Sequence, residues 1–272
     1  MEPAGVTPRH GLGSLLLLAD GRLPTGAHAH SGGIEPAVAD GRVRDHETLL
    51  AYLLGRLATA GAVDAGLAAA AADWAGTVAD AGDPDAREGA VTLEAEANAR
   101  VPSAALRRAS RAQGRGLLRV ASRAWPSAAL ELLAGVHPDG PPWPLALGAA
   151  GVAAEVGAEG VAVVARWAAV SGPAWAAVRL LGLDPLSVAA LLAGLAPMVE
   201  SATGPNPAEA ARVDGSPPGQ GATGGSSGVR RARPGEETPS ARSLRDLPAT
   251  SGLLVELAAD AHARWEVRLF AS

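Results

Sequence analysis

The densest group of chemically versatile residues lies in Leu15–Glu35, which reads LLLLADGRLPTGAHAHSGGIE. His28 and His30 stand two residues apart. On an extended segment they would point to the same side and could hold a metal. No third ligand is near. Only His10, His46, His137 and His262 could add an imidazole, and the chain has no cysteine. Thiolate zinc sites, iron–sulfur clusters, disulfides and cysteine nucleophiles are therefore excluded. Ser31, either histidine and Glu35 supply the residue types of a hydrolase triad. They sit within one short segment, however, and no G-x-S-x-G pattern surrounds the serine. Ser31-Gly32-Gly33 could offer backbone N–H groups to an anion at a helix start. The flanking strand and spacing of a dinucleotide fingerprint are missing. All 23 basic residues are arginine, so lysine Schiff-base and P-loop chemistry is excluded. This segment reads as a glycine-dependent turn, with no catalytic residue and no metal site assigned.

Other polar groupings are less specific. Glu94 and Glu96 fall in a charged helix, and Glu155 and Glu159 are spaced by one helical turn. Arginine recurs at 107, 108, 111, 115, 119 and 123. Such a ladder is either a solvated face or a contact for a partner's acidic surface.

These residues need a scaffold, and the composition says which kind. The chain has 272 residues, 48% of them hydrophobic, enough for a sizeable core. Alanine and leucine dominate, while β-branched and aromatic residues are sparse, which favours helix over strand. Asp45 caps a stripe of Leu49, Leu50, Leu53, Leu54 and Leu57. A second helix spans 65–78. A more exposed one covers 87–100 and stops at Val101-Pro102. Ser103 caps the arginine-rich helix, and Pro126 opens the next. The turn-rich stretch 137–144 precedes three nearly all-apolar helices at 144–156, 159–181 and 185–200, the second open to interruption at Gly172-Pro173. Being apolar almost all round, they belong at the centre of a bundle. Residues 203–250 are rich in Gly, Pro, Ser and Arg and cannot bury enough surface to offset their ordering entropy. The last helix carries Leu254, Leu257, Ala258, Ala261 and Trp265 on one stripe.

The expectation is an all-α protein: a single helical bundle domain of roughly eight to ten helices, with a long disordered linker before the last helix. The divisions are 1–202 for the helical domain, 203–248 for the linker, and 249–272 for a C-terminal helix and tail. A net charge of −5 and 3% aromatic content argue against nucleic acid as a partner. Charges at Arg56, Asp64, Glu155, Glu159, Arg179 and Asp184 interrupt the apolar runs, so none is read as crossing a membrane. Leu12–Ala19 followed by Ala27-His28-Ala29 imitates a signal peptide. Asp20 and Arg22 interrupt that segment, and it is not read as one.

Four motifs in order carry a resemblance. They are the Leu15–Glu35 segment, the helix with Arg111, Gln113, Gly114 and Leu117-Leu118, the run Pro144–Ala150, and the end from His262 through Arg268-Leu269-Phe270-Ala271-Ser272. Together they are similar to the signature of the urease accessory protein UreF family. Ala27, Trp143 and Ala263 stand where that family commonly has Gly, His and Glu.

The resemblance implies an all-helical, homodimeric, cytoplasmic protein without turnover or cofactor of its own. Such a protein bridges the accessory protein UreD/UreH to the GTPase UreG, and the assembly delivers nickel to apo-urease. Pro24, Thr25, Gly26, His30, Ser31, Gly33, Glu35, Arg111, Gln113 and Gly114 are then the family-motif residues. His262, Arg268, Leu269, Phe270 and Ser272 form an expected partner-binding tail. Two other readings stay open: a small helical metalloenzyme using His28 and His30, and a plain oligomerisation module.

Overall fold

The computed structural model describes residues 11–201 and 244–271, except for the side chain of His28. Within them every regular element is helical: α1 (Leu12–Ala19), α2 (Ile34–Ala39), α3 (His46–Ala58), α4 (Ala60–Ala75), α5 (Pro84–Arg100), α6 (Ala104–Ala124), α7 (Ala128–Val136), α8 (Trp143–Ala153), α9 (Gly157–Leu181), α10 (Pro185–Glu200) and α11 (Leu253–His262), with 3-10 turns at Ala27–Ala29 and Leu244–Asp246. Of the linker expected at 203–248, residues 203–243 lie outside the described region. Leu244–Pro248 lie inside it, and Leu247 is buried beside Val63 and Leu67 of α4 and Leu93 of α5.

The helix starts follow local chemistry. Asp45 Oδ1 accepts from Thr48 N at 2.9 Å while Thr48 Oγ1 accepts from Asp45 N at 3.1 Å, a reciprocal capping box. Ser103 Oγ accepts from Leu106 N, and Asp184 accepts from the amides of Leu186 and Ser187. The helix expected from Pro126 begins at Ala128, because Ser127 is the residue whose side chain caps it.

The centre is built by α4, α8 and α9. Alanines 65, 68, 69 and 72 of α4 and 146, 149 and 150 of α8 are nearly or wholly buried. Such small side chains let the helices approach closely. One apolar cluster gathers α1 and α4 to α8 around the first half of α9. A second gathers α2, α3 and α10 around its second half and includes Phe270 of the tail. The segments His46–Ala75 and Gly157–Leu181 are long and apolar enough to cross a membrane, but 50% and 61% of their most apolar windows are buried inside the protein. Their apolarity is used by the bundle.

Three expectations are corrected. First, α9 runs unbroken through Pro173. A proline leaves the carbonyl four residues earlier without its helical donor. Here that carbonyl belongs to Ala169, and Arg56 Nε donates to it at 3.0 Å, replacing the missing bond. Second, Glu155 and Glu159 do not share a helix. Glu155 sits in the junction between α8 and α9 with φ 60°, a left-handed conformation that reverses the chain. Third, the leucines of the apolar stripe expected on α11 face outward, Leu254 at 64% and Leu257 at 60% exposure, as does the neighbouring Leu253. The inward face of α11 is Val255, Ala259 and His262. The rotation is set by polar anchors: Glu256 accepts from Ser103 N at 2.8 Å, and Asp260 accepts from Ser103 Oγ at 2.7 Å and from Ala105 N at 3.1 Å. These carboxylates cover the positive N-terminal end of α6, where exposed N–H groups favour negative charge.

Candidate functional site

The N-terminal motif forms a tight loop on which the C-terminal tail converges. Gly26, Gly32 and Gly33 have φ of 84°, 63° and 82°, conformations a side chain would strain. Space is also limited at Gly33, where a Cβ would lie 2.9 Å from Val255 Cγ1 of α11. The Gly32 carbonyl accepts from Arg56 at 2.7 Å and from Tyr52 OH at 3.0 Å, both on α3. Arg56 thus ties the loop to the carbonyl exposed by Pro173 on α9. Ser31 is fully buried, and its Oγ accepts from Glu35 N.

Glu35, 8% exposed, is the receptor for the tail. Its Oε1 accepts from Leu269 N at 2.7 Å; its Oε2 accepts from Phe270 N at 3.0 Å and lies 2.9 Å from His262 Nε2. Ala271 N donates to Ala29 O at 2.7 Å, adding a backbone contact. The Phe270 ring is buried among α3, α9 and α10 residues, with the Arg179 guanidinium 4.4 Å from its centroid, a cation–π contact. Trp265 stands edge-on to His262 at 4.7 Å. Arg268 and Leu269 face outward.

Behind this joint lies a cleft of about 570 Å³. Its lining includes His30, Arg56, Asp64, Gln113, Trp143 and Trp167. Asp64, near the N-terminal end of α4, is desolvated there. Burial raises its carboxyl from 3.8 to about 6, while the positive charge of Arg56 acts in the opposite direction. Glu256, at the rim, is also pushed up by burial; the Ser103 amide counteracts this. Asp260 is held down by its hydrogen bonds to Ser103 and Ala105.

A second clasp joins α5, α6 and the loop before α8. Arg111 pairs with Glu94 and donates to Gly140 O at 3.2 Å. Glu94 also meets His137 Nδ1 at 3.2 Å. Burial lowers the basicity of His137; Glu94 opposes the shift and Arg111 adds to it. Gly114 and Gly116 leave no room for a side chain: a Cβ would meet the carbonyl of Pro141 at the first and of Thr25 at the second. Gly116 is therefore where the N-terminal motif rests on α6.

The family model for UreF matches residues 43–196. Urease accessory protein UreF of Mycolicibacterium vanbaalenii is 44% identical over 191 residues, covering 70% of this chain and 82% of that protein. Its namesake in a Mycobacterium species is 45% identical over 189 residues, with the same coverages, and that of Mycobacterium tuberculosis is 41% identical over 191, again at 70% and 82%. The chain belongs to the UreF family. It is thereby a urease accessory protein, a maturation factor and not an enzyme.

Within this UreF chain the sequence-derived residues fall into two groups. Thr25, Gly26, Ser31, Gly33 and Glu35 shape the loop and its tail receptor, and the tail's His262 and Phe270 are buried against it. Arg111 and Gly114 belong to the clasp on α6, while His30 and Gln113 line the cleft between. Pro24 is exposed, and Ser272 lies outside the described residues. The side chain of His28 also lies outside them, and no cluster of three metal-ligating residues occurs among those described. Sequence reading missed Tyr52, Arg56, Asp64, Arg179, Glu256 and Asp260. Arg56 and Asp64 were visible only as charges breaking apolar runs. Such a charge inside a buried helix was itself the available signal, since it needs a partner or a changed pKa.

Proposed function

We propose that this chain is the cytoplasmic, homodimeric bridge between UreD/UreH and the GTPase UreG in nickel delivery to apo-urease. The reading is supported chiefly by similarity to proteins named urease accessory protein UreF, over 82% of their length. The docking of the tail on the Glu35 loop adds physical support. Glu35, His262 and Phe270 hold the tail from inside, so that Arg268 and Leu269 are presented outward; Leu253, Leu254 and Leu257 of α11 are exposed as well. Exposed apolar side chains and a guanidinium on ordered segments suit protein recognition, with the ordering cost already met within the chain. On this reading the family-motif residues position the contact surface, and nickel is cargo.

Co-expression of tagged chain with untagged UreD/UreH and UreG tests the bridge. All three are expected to co-elute, with UreG and UreD/UreH failing to associate when this chain is omitted. Their equal association in its absence would overturn the reading. Sedimentation at tens of micromolar is expected to show a dimer, and purified protein to carry no stoichiometric metal. A bound metal would favour the metalloenzyme alternative.

A further inference from the structure

The outer face of α6 carries a charge pattern that its packing uses only in part. The helix has 21 residues, six of them arginine and none acidic. At 100° per residue, Arg108, Arg115, Arg119 and Arg123 fall within about 80° of the helix circumference and span about 22 Å of its length. All four are exposed. Arg115 donates to the Asp139 carbonyl and Arg108 acts on Asp260 of α11 through its charge alone, but Arg119 and Arg123 make no hydrogen bond or ion pair with any described residue. Arg115/Arg119 and Arg119/Arg123 are like charges at i,i+4, which destabilises an isolated helix. Neighbouring α5 shows how the same chain builds an ordinary solvated helix: it mixes signs and pairs Glu96 with Arg100 at i,i+4. A preference for arginine over lysine does not explain why α6 lacks every acid.

We propose that this ridge docks an acidic protein surface, one presenting carboxylates along about two-thirds of a 30 Å helix length. The proposal rests on the bridging reading and deepens it by giving one partner contact its chemistry. Charge complementarity selects the occupant. The guanidinium fork matches a carboxylate in two parallel hydrogen bonds. A membrane surface would need a free apolar face on α6, whereas Leu117, Leu118 and Ala121 are buried in the bundle. A nucleic acid would meet a chain with net charge −5.

The test is the triple variant Arg108→Gln, Arg119→Gln, Arg123→Gln, leaving Arg115 and its carbonyl contact intact. Affinities for purified UreG and for UreD/UreH are measured separately at 50 and 300 mM NaCl. The variant is expected to melt with the wild type, to bind one partner about tenfold or more weakly at low salt, and to lose most of the salt dependence of that contact. The corresponding triple lysine variant should retain the salt dependence. Unchanged affinity and salt slope for both partners would overturn the ridge alone. Failure of wild-type chain to bind either partner would overturn the bridging reading and the ridge with it. Vesicles with 30% phosphatidylserine and a 30-base-pair DNA duplex serve as further probes. Binding to either that the glutamine variant loses, with protein partners unaffected, would reassign the ridge and overturn the proposal.

Discussion

Replacing Glu35 by Gln should loosen the C-terminal tail while leaving the bundle folded. The wild-type carboxyl group serves Leu269 N through Oε1, and Phe270 N and His262 through Oε2. A glutamine keeps one oxygen. Placed at the Oε2 position, that oxygen retains Phe270 and His262 but sets an NH2 group against the Leu269 N–H, donor facing donor. The opposite orientation loses two contacts, so the first defines the smallest damage. An unsatisfied, partly buried donor costs about 1 to 3 kcal/mol. The undocked tail should therefore become about 5- to 150-fold more populated. Phe270 burial and the Ala271–Ala29 bond remain, so complete loss of docking is not expected. Hydrogen exchange is the direct assay: the amides of Leu269, Phe270 and Ala271 should lose protection by that factor, while α4 and α9 amides keep theirs. Glu35→Ala should do more, since all three contacts go. Unchanged tail protection in both variants would refute the argument that Glu35 holds the tail.

Asp64→Asn should stabilise the protein, and only at higher pH. Because burial raises this carboxyl from 3.8 to about 6, its stability contribution is most favourable below the unfolded value and is lost as pH rises through 6. Removing the charge should be worth about 2 to 3 kcal/mol at pH 8 and close to nothing at pH 4, read as a Tm difference of several degrees that appears across this window; a gain independent of pH would contradict it. Gly116→Ala should cost about 2 kcal/mol or more through the collision with the Thr25 carbonyl, whereas Gly13→Ala, with open space around it, should leave Tm unchanged or slightly raised. Equal melting of the two glycine variants would show that the close contact between α6 and the N-terminal motif is misplaced.

Some helix starts were legible from a local rule, although the Ser127 cap was passed over for Pro126. Asp45 and Ser103 announced their caps because a capping side chain acts within three residues. The continuity of α9 was not legible, because the donor that satisfies Ala169 comes from Arg56, more than a hundred residues away. Apolar periodicity alone misplaced the face of α11, since Glu256, Asp260 and His262 fix its rotation through partners at Ser103, Ala105 and Glu35. The site shows the same division. The motifs at Gly26–Glu35 and His262–Phe270 were recognisable as text, but that Glu35 receives the tail is a property of the folded chain. Asp64 gave only an interrupted apolar run, and its altered carboxyl depends on what α3, α8 and α9 place around it.

Nickel bound to urease is the most direct readout of a role in urease maturation. In a strain carrying urease and its other accessory proteins, the gene for this chain is deleted in frame and then restored. Urease purified from the deletion strain is expected to contain little nickel and show little activity, with both recovered on restoration. Urease with full nickel content and full activity from the deletion strain would contradict the account.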